Sequence, residues 1–199
     1  MKKLVFVAFL TSVMLSNCSS DNSSAVLVPL SQAEINDLKF LREEEKLARD
    51  VYLFSYNKYQ ISIFNSISQS EQAHMTSVLS LLNKYGILDP ASAEIGVFVN
   101  QDLQTLYNNL TAQSDISIAE ALKVGATIED LDINDIDDFI INTTKSDLLS
   151  VYDNLTCGSK NHIRSFTSQL LITGVVYIPQ FISLEYYNII LSQPISVCK

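Results

Sequence analysis

The chain has 199 residues with 22 acidic and 13 basic side chains, and its formal net charge is −9. Because hydrophobic residues make up 47% of the sequence and charged residues only 18%, the composition is that of a folded domain with a full core and not that of a disordered chain. The acidic balance argues against nucleic acid as a partner, and five Gly and four Pro are too few for a β-sandwich with many turns.

The N-terminal residues 1–17 have the pattern of a signal peptide. Lys2 and Lys3 precede an apolar run over residues 4–15 that is too short to span a bilayer. The segment ends in Asn17-Cys18, which resembles the lipobox of bacterial lipoproteins, although that pattern prefers a smaller residue than Asn17. We therefore predict export and lipidation of Cys18, which would anchor the chain in the cell envelope on its periplasmic or outer face. Ordinary secretory cleavage nearby is the alternative.

A polar tether and one domain follow the predicted signal peptide. Residues 18–30 contain a run of Ser, Asp and Asn that is typical of a flexible linker. Residues 31–199 contain no internal repeat, so we predict a single domain. Two cysteines remain in it, Cys157 and Cys198, and an oxidising compartment favours a disulfide between them over two separate buried thiols.

Helical periodicity predicts four long helices in this domain. They are expected over residues 31–59, 62–85, 117–133 and 146–173, and the third is expected to continue weakly to residue 140. Capping boxes are expected at Ser31 with Glu34 and at Ser117 with Glu120. Short helices are expected over residues 100–112, inside the long connection between the second and third helices, and over residues 183–191, where a helix would cap one end.

Each long helix has polar side chains in the stripe that it turns towards the other helices. In the second helix, Glu71 and His74 interrupt an otherwise apolar stripe. The other inward polar residues are Glu45, Glu129, Asp132 and His162. A buried carboxylate without a partner costs several kcal/mol or is forced to be neutral. Because few Lys or Arg lie on these stripes, we predict one or two bound divalent cations, and carboxylates with imidazoles suit iron, manganese or zinc.

Side chains beside these candidate ligands have less specific interpretations. Tyr52, Tyr152 and Ser159 lie on the same stripes and could donate hydrogen bonds to the metal-binding carboxylates. A Tyr on an apolar stripe more often only packs, so the alternative for both tyrosines is a role in the core. Glu43 and Glu44 are expected on a solvated face of the first helix.

Four stretches of the chain together resemble a known family. They are residues 41–52 (LREEEKLARDVY), 70–75 (SEQAHM), 125–133 (GATIEDLDI) and 158–166 (GSKNHIRSF). The family is the bacterial and archaeal ferritin-like family called domain of unknown function 2202, and the resemblance covers roughly residues 40–191. It implies an all-α fold, a rubrerythrin-like four-helix bundle with a long crossover between its second and third helices.

The resemblance also implies a ligand set. In the wider superfamily the first helix provides a Glu followed seven residues later by a Tyr, which matches Glu45 and Tyr52. The second helix provides Glu-x-x-His, which matches Glu71 and His74. This sequence therefore follows the superfamily pattern through its first two long helices.

The third and fourth helices follow that pattern only in part. Two acids three residues apart in the third helix match Glu129 and Asp132. The fourth helix usually repeats Glu-x-x-His, but here Ser159 stands in place of the Glu before His162. Three interpretations follow: Asp132 replaces the missing ligand, one ion is held loosely, or Ser159 leaves an open position for water or peroxide.

A ferritin-like chain implies a di-iron or di-manganese carboxylate site that acts on oxygen, peroxide or ferrous iron, as in a ferroxidase or a peroxidase. Two alternatives stay open, namely a non-catalytic lipoprotein that binds one ion and a structural envelope protein. The expected partners are metal ions and, through the lipid on Cys18, a membrane. An oligomer is compatible with the sequence but is not specified by it.

Overall fold

The computed structural model describes residues 28–198 of the chain. This part contains six α-helices and no β-strand: α1 (Gln32–Tyr59), α2 (Ser62–Lys84), α3 (Gln101–Ser114), α4 (Ile118–Ile141), α5 (Ser146–Ile172) and α6 (Leu184–Ser192). The predicted all-α class is therefore confirmed. Within the described residues, no helix combines the length and the apolar character that crossing a membrane requires. The predicted signal peptide, Cys18 and most of the predicted tether lie outside the described residues.

Cap chemistry sets where the helices begin. At the start of α1, Ser31 accepts a hydrogen bond from the N–H of Glu34, whose carboxylate accepts one from the N–H of Ser31. The capping box expected at the start of α4 is only half formed. Ser117 accepts from the N–H of Glu120, but the Glu120 carboxylate accepts from the side-chain amide of Gln113 instead of from the cap.

The helix α4 is continuous where the sequence predicted only a weak extension. The sequence predicted a helix to about residue 133 with a weak continuation to residue 140, and α4 runs without a break to Ile141. Ile133 and Ile136 are fully buried against the other helices. Burial of these apolar side chains outweighs the weak helix propensity of the polar residues between them.

The four long helices pack as two pairs. α1 lies along α2 and α4 lies along α5, while contacts between α1 and α4 and between α2 and α5 join the pairs. The connection from α2 to α4 carries α3, which packs on both α1 and α4, and α6 contacts α5. Two apolar clusters fill the interior, one around Tyr52, Phe64 and Phe166 and the other around Leu148 and Tyr152.

Two buried acids on α1 fasten the connection between α2 and α3. Glu43 accepts hydrogen bonds from the backbone N–H groups of residues 99–100, at 2.6 and 3.1 Å. Asp50 accepts from the N–H of Gly96 at 2.9 Å and pairs with the fully buried Lys46. The expectation that Glu43 lies on a solvated face was therefore wrong, because this connection covers that face of α1.

The C-terminal segment is fastened in the same way. Asp130 of α4 accepts a hydrogen bond from the Tyr177 hydroxyl at 2.8 Å and three more from the backbone N–H groups of residues 180–182, at 2.5, 3.2 and 2.9 Å. A disulfide joins Cys157 of α5 to Cys198 near the C-terminus. The segment after α5 is thus held to the helices at both of its ends.

We expect Asp130→Asn to lower the free energy of unfolding by about 3 kcal/mol, because an amide offers a single uncharged oxygen to four donors. Urea unfolding followed by circular dichroism measures the change. The matched control is Asp138→Asn, an exposed acid of the same helix, which should change the free energy by less than about 0.5 kcal/mol. An unchanged unfolding midpoint in Asp130→Asn would contradict the fastening role.

Candidate metal centre

Five side chains of types that can ligate a metal converge from the four long helices between the two apolar clusters. They are Glu45 of α1, Glu71 and His74 of α2, Glu129 of α4 and His162 of α5. All are buried, and the most exposed of them retains only 8% of its accessible surface. Within the described residues they form two groups, Glu45–Glu71–His74 and Glu71–Glu129–His162, in each of which the ligand atoms lie within 4.8 Å of one another.

Glu71 belongs to both groups and lies between the two imidazoles. Its Oε2 is 2.7 Å from Nδ1 of His74, and its Oε1 is 2.8 Å from Nδ1 of His162. Each imidazole also faces a second carboxylate: His74 is 3.2 Å from Glu45, and His162 is 3.3 Å from Glu129. The centre therefore has two positions with the same composition, one His and one Glu each, joined by a shared carboxylate.

Several atoms of this centre are buried without a hydrogen-bond partner. They are Glu45 Oε1, Glu71 Oε1, Asp132 Oδ1 and His162 Nδ1. The contact between Glu71 Oε1 and His162 Nδ1 is short but lacks the alignment of a hydrogen bond. Buried polar atoms in folded proteins nearly always have partners. Atoms with lone pairs that converge without one fit the ligand sphere of a cation, so the residues present suit a bound metal.

The electrostatics of the centre show an excess of negative charge. Burial raises the pKa of Glu45 well above its usual value, and the nearby Asp132 raises it further. Burial likewise raises the pKa of Asp132 to about 7, with a contribution from the charge of Glu129. Burial by itself lowers the pKa of His162, but Glu71 and Glu129 outweigh it and raise the pKa to about 10. Two imidazoles cannot balance all the carboxylates, so a divalent cation would stabilise their charged forms.

Of the three side chains predicted to donate hydrogen bonds to the ligands, Tyr52 contacts the centre and Ser159 contacts Asp132 beside it. The Tyr52 hydroxyl donates to Glu129 Oε1 at 2.5 Å, and the Ser159 hydroxyl donates to Asp132 Oδ2. Asp132 itself belongs to neither group of three and lies at their edge with its Oδ1 free. Tyr152 packs in the second apolar cluster against Phe139, at 6.2 Å between ring centroids. This position fits the alternative of a role in the core, because Tyr152 lies about two helical turns before Ser159 on α5.

The position of Glu44 differs from the one that the sequence predicted. We expected it on a solvated face, yet only 2% of it is exposed and neither carboxylate oxygen has a hydrogen-bond partner. Burial raises its pKa well above the usual value, and the carboxylates of Asp132, Asp135 and Glu45 raise it further. Every residue over positions 41–48 is buried, so α1 has no solvated face there and helical periodicity carried no usable signal.

A glycine in α5 makes room for one of the imidazoles, and this feature was also missed. A Cβ at Gly158 would lie 2.5 Å from Nε2 of His74. Only a residue without a side chain lets α5 approach α2 this closely. The signal was present in the sequence as a Gly in the interior of a predicted helix, immediately before Ser159.

The chain matches the family model of an uncharacterized protein domain, DUF2202, over residues 34–194. It belongs to the DUF2202 family. This DUF2202 chain is 50% identical over 171 residues to uncharacterized protein MJ0754 of Methanocaldococcus jannaschii, covering 85% of this chain and 92% of that protein. It also resembles the crystal structure of hypothetical protein MJ0754 from Methanococcus jannaschii DSM 2661, with a TM-score of 0.84 at 48% identity over 87% of this chain and all of that one.

Variants of two neighbouring acids of α4 can distinguish an effect on metal binding from an effect on stability in this DUF2202 chain. We expect Glu129→Gln to lower the content of bound divalent metal by about half, because it removes one ligand from one of the two positions. Asp130→Asn is the matched control, because Asp130 is an adjacent and equally buried acid that accepts hydrogen bonds from the C-terminal segment and belongs to neither ligand group. Plasma mass spectrometry of desalted protein after loading with Mn(II) gives the metal content per folded chain. Equal metal contents in the two variants would contradict the assignment of Glu129.

Proposed function

We propose that this chain is a ferritin-like protein that binds two divalent cations, iron or manganese, and acts on oxygen, peroxide or ferrous iron. The observation that carries the proposal is the position of Glu71. One carboxylate faces two groups of ligands, with an imidazole beside each of its oxygens. A single ion would need only one of these groups, whereas two ions joined by a shared carboxylate use both.

The arrangement of the helices supports the ferritin-like part of the proposal. Carboxylate di-metal bundles typically take one Glu from each of two helices and a Glu-x-x-His motif from each of the other two, all directed inwards. Each of the four long helices here contributes at least one ligand, and Glu71 and His74 supply that motif on α2. The connection from α2 to α4, which contains α3, would correspond to the long crossover of such a bundle.

The position of Asp132 supports its role as the replacement for the carboxylate that Ser159 lacks. The Ser159 hydroxyl holds one oxygen of Asp132, and the other oxygen is buried and free to bind. A hydrogen bond of this kind orients a carboxylate towards a metal. We propose that α4 supplies the ligand that α5 provides elsewhere in the superfamily.

Two Fe(II) ions held by the two ligand groups around Glu71 would supply the two electrons that, with two protons, reduce hydrogen peroxide to two molecules of water. The residues of the chain orient the carboxylates of the centre and keep solvent away from it. Tyr52 donates to Glu129 and so fixes the orientation of that carboxylate. The apolar clusters on both sides of the centre limit the access of solvent and strengthen each electrostatic contact within it.

Anaerobic titration with Fe(II), followed by mixing with peroxide or oxygen, tests this function. We expect two Fe(II) per chain, and oxidation that is faster than that of free Fe(II) in the same buffer. Glu71→Gln should remove both ions, because Glu71 belongs to both groups. The control is Glu120→Gln, which changes an acid outside the centre that contacts Gln113 and should leave loading and oxidation unchanged.

Each other outcome of this titration has a defined meaning. Failure of the wild-type protein to bind Fe(II) would refute a metal-dependent function and favour the structural envelope protein. One ion per chain without oxidation would favour the non-catalytic alternative, in which Ser159 leaves the second position too weak to fill. Unfolding that is unaffected by a chelator would also point to the structural alternative.

We also propose that the chain is exported and anchored by a lipid on Cys18. The charged and apolar pattern of residues 1–17 supports export. The disulfide between Cys157 and Cys198 supports it independently, because such bonds persist in oxidising compartments.

Expression of the full chain in a bacterial host tests the lipid anchor. We expect the wild-type protein to enter the detergent phase on phase separation, and Cys18→Ser to shift it to the aqueous phase, because the acyl chains supply the membrane affinity. Cys198→Ser is the control, since it removes another cysteine without touching the lipidation signal. Identical partitioning of wild type and Cys18→Ser would contradict the anchor.

A further inference from the structure

Glu44 is a buried acid that neither the fold nor the two ligand groups use. It lies next to Glu45 in α1 but belongs to neither group. Both of its oxygens are buried, and neither accepts a hydrogen bond. The residues that act on it most strongly are the carboxylates of Asp132, Asp135 and Glu45, and it is within hydrogen-bonding reach of Asp135. A carboxylate buried among carboxylates needs a positive charge or a proton to be stable.

Glu44 of α1 faces a series of acids on α4 that leads to the surface. Glu129, Asp132, Asp135 and Asp138 are three residues apart, so each step advances about 4.5 Å and turns by about 60° around the helix. Glu129 is 1% exposed and Asp132 is 5% exposed, whereas Asp135 is half-buried and Asp138 is exposed. The carboxylates therefore wind from the metal centre to solvent.

Among the described residues, Glu44 and Asp135 lack the Lys, Arg and backbone N–H partners that stabilise other buried carboxylates of the chain. Asp50 pairs with Lys46 and Arg49, and Asp130 accepts backbone N–H groups. Of the described side chains, no Lys or Arg is among the groups that most strongly shift the pKa of Glu44 or Asp135. The side chain of Asp135 accepts a hydrogen bond from the neighbouring Asn134 and lies within hydrogen-bonding reach of Glu44. The positive charge that this part of α1 and α4 lacks is available from a cation in solution.

We propose that Glu44, Asp132 and Asp135 form a pathway by which divalent cations reach the metal centre from the surface at Asp138. We call this set of residues the acidic pathway. Its ligands are carboxylate oxygens without an imidazole, so a cation keeps much of its water there and exchanges readily, as transit requires. At the inner end, the free Oδ1 of Asp132 receives the cation at the edge of the two ligand groups. The pathway rests on the proposed function, because it requires a metal centre at its end.

The rate of metal loading tests the pathway. Metal-free full-length protein is mixed with Co(II) in a stopped-flow instrument, and the visible absorption of bound Co(II) is followed. We expect Glu44→Gln and Asp135→Asn to slow loading by about tenfold, since converging charge raises cation association rates by at least that factor. The final number of Co(II) ions per chain and the final spectrum should match those of wild type.

Two controls separate the pathway from general charge effects. Asp137→Asn removes an acid of the same helix that lies near Lys160 and Tyr186, and it should change the rate by less than about twofold. Glu44→Asp keeps the charge and should restore most of the rate. Circular dichroism and the urea midpoint establish that each variant is folded.

Four results would overturn the pathway. Wild-type rates in Glu44→Gln and Asp135→Asn would mean that the two acids only share a proton. A lower final Co(II) content in Glu44→Gln would make Glu44 a ligand of the centre, and equal slowing in Asp137→Asn would make the effect one of net charge. If wild type binds no Co(II), the proposed function fails together with the pathway, whereas full loading at unchanged rates overturns the pathway alone.

Discussion

Mutual repulsion of buried carboxylates is the constraint around which the interior of this protein is organised. Glu71 is held between two imidazoles, and the remaining acids of the centre face one another with few hydrogen-bond donors. Such an arrangement opposes folding unless apolar packing compensates for it. The two apolar clusters lie on either side of the centre along each long helix, and they contain the largest buried side chains, including Tyr52, Phe64 and Phe166.

Two classes of buried acid among the described residues differ in their hydrogen-bond donors. Glu43 and Asp130 accept backbone N–H groups and so fasten loops to helices. Within the described part of the chain, no backbone N–H donates to the acids of the centre, whose contacts are with side chains, such as that of Tyr52 with Glu129. The first class is satisfied by the fold itself, whereas the second lacks such donors and would be completed by a bound cation. Glu129 and Asp130 show that adjacent residues can belong to different classes.

The centre is symmetric in its ligands but not in its surroundings. Each position has one His and one Glu of its own beside the shared Glu71. On one side Tyr52 holds Glu129, while Asp132, held by Ser159, lies at the edge towards Glu44. Asymmetry of this kind would give the two positions different affinities for a cation. The acid-rich side of the centre lies against the interface of α1 and α4.

Local patterns determined the helices and most of the ligands. Ser31 caps α1, and the spacing of Glu71 and His74 sets one face of α2, through interactions within a few residues, so both features can be read from the sequence. Helical spacing failed for Glu43 and Glu44, because it assumes a solvated face that α1 does not have over residues 41–48.

Only the tertiary structure decided that Glu43 fastens a loop, that Glu44 faces α4 and that Tyr152 packs away from the centre. The partners of these side chains come from distant parts of the chain. Hydrogen bonding and packing between such segments depend on how the helices are placed against one another, and local propensity carries no information about that placement.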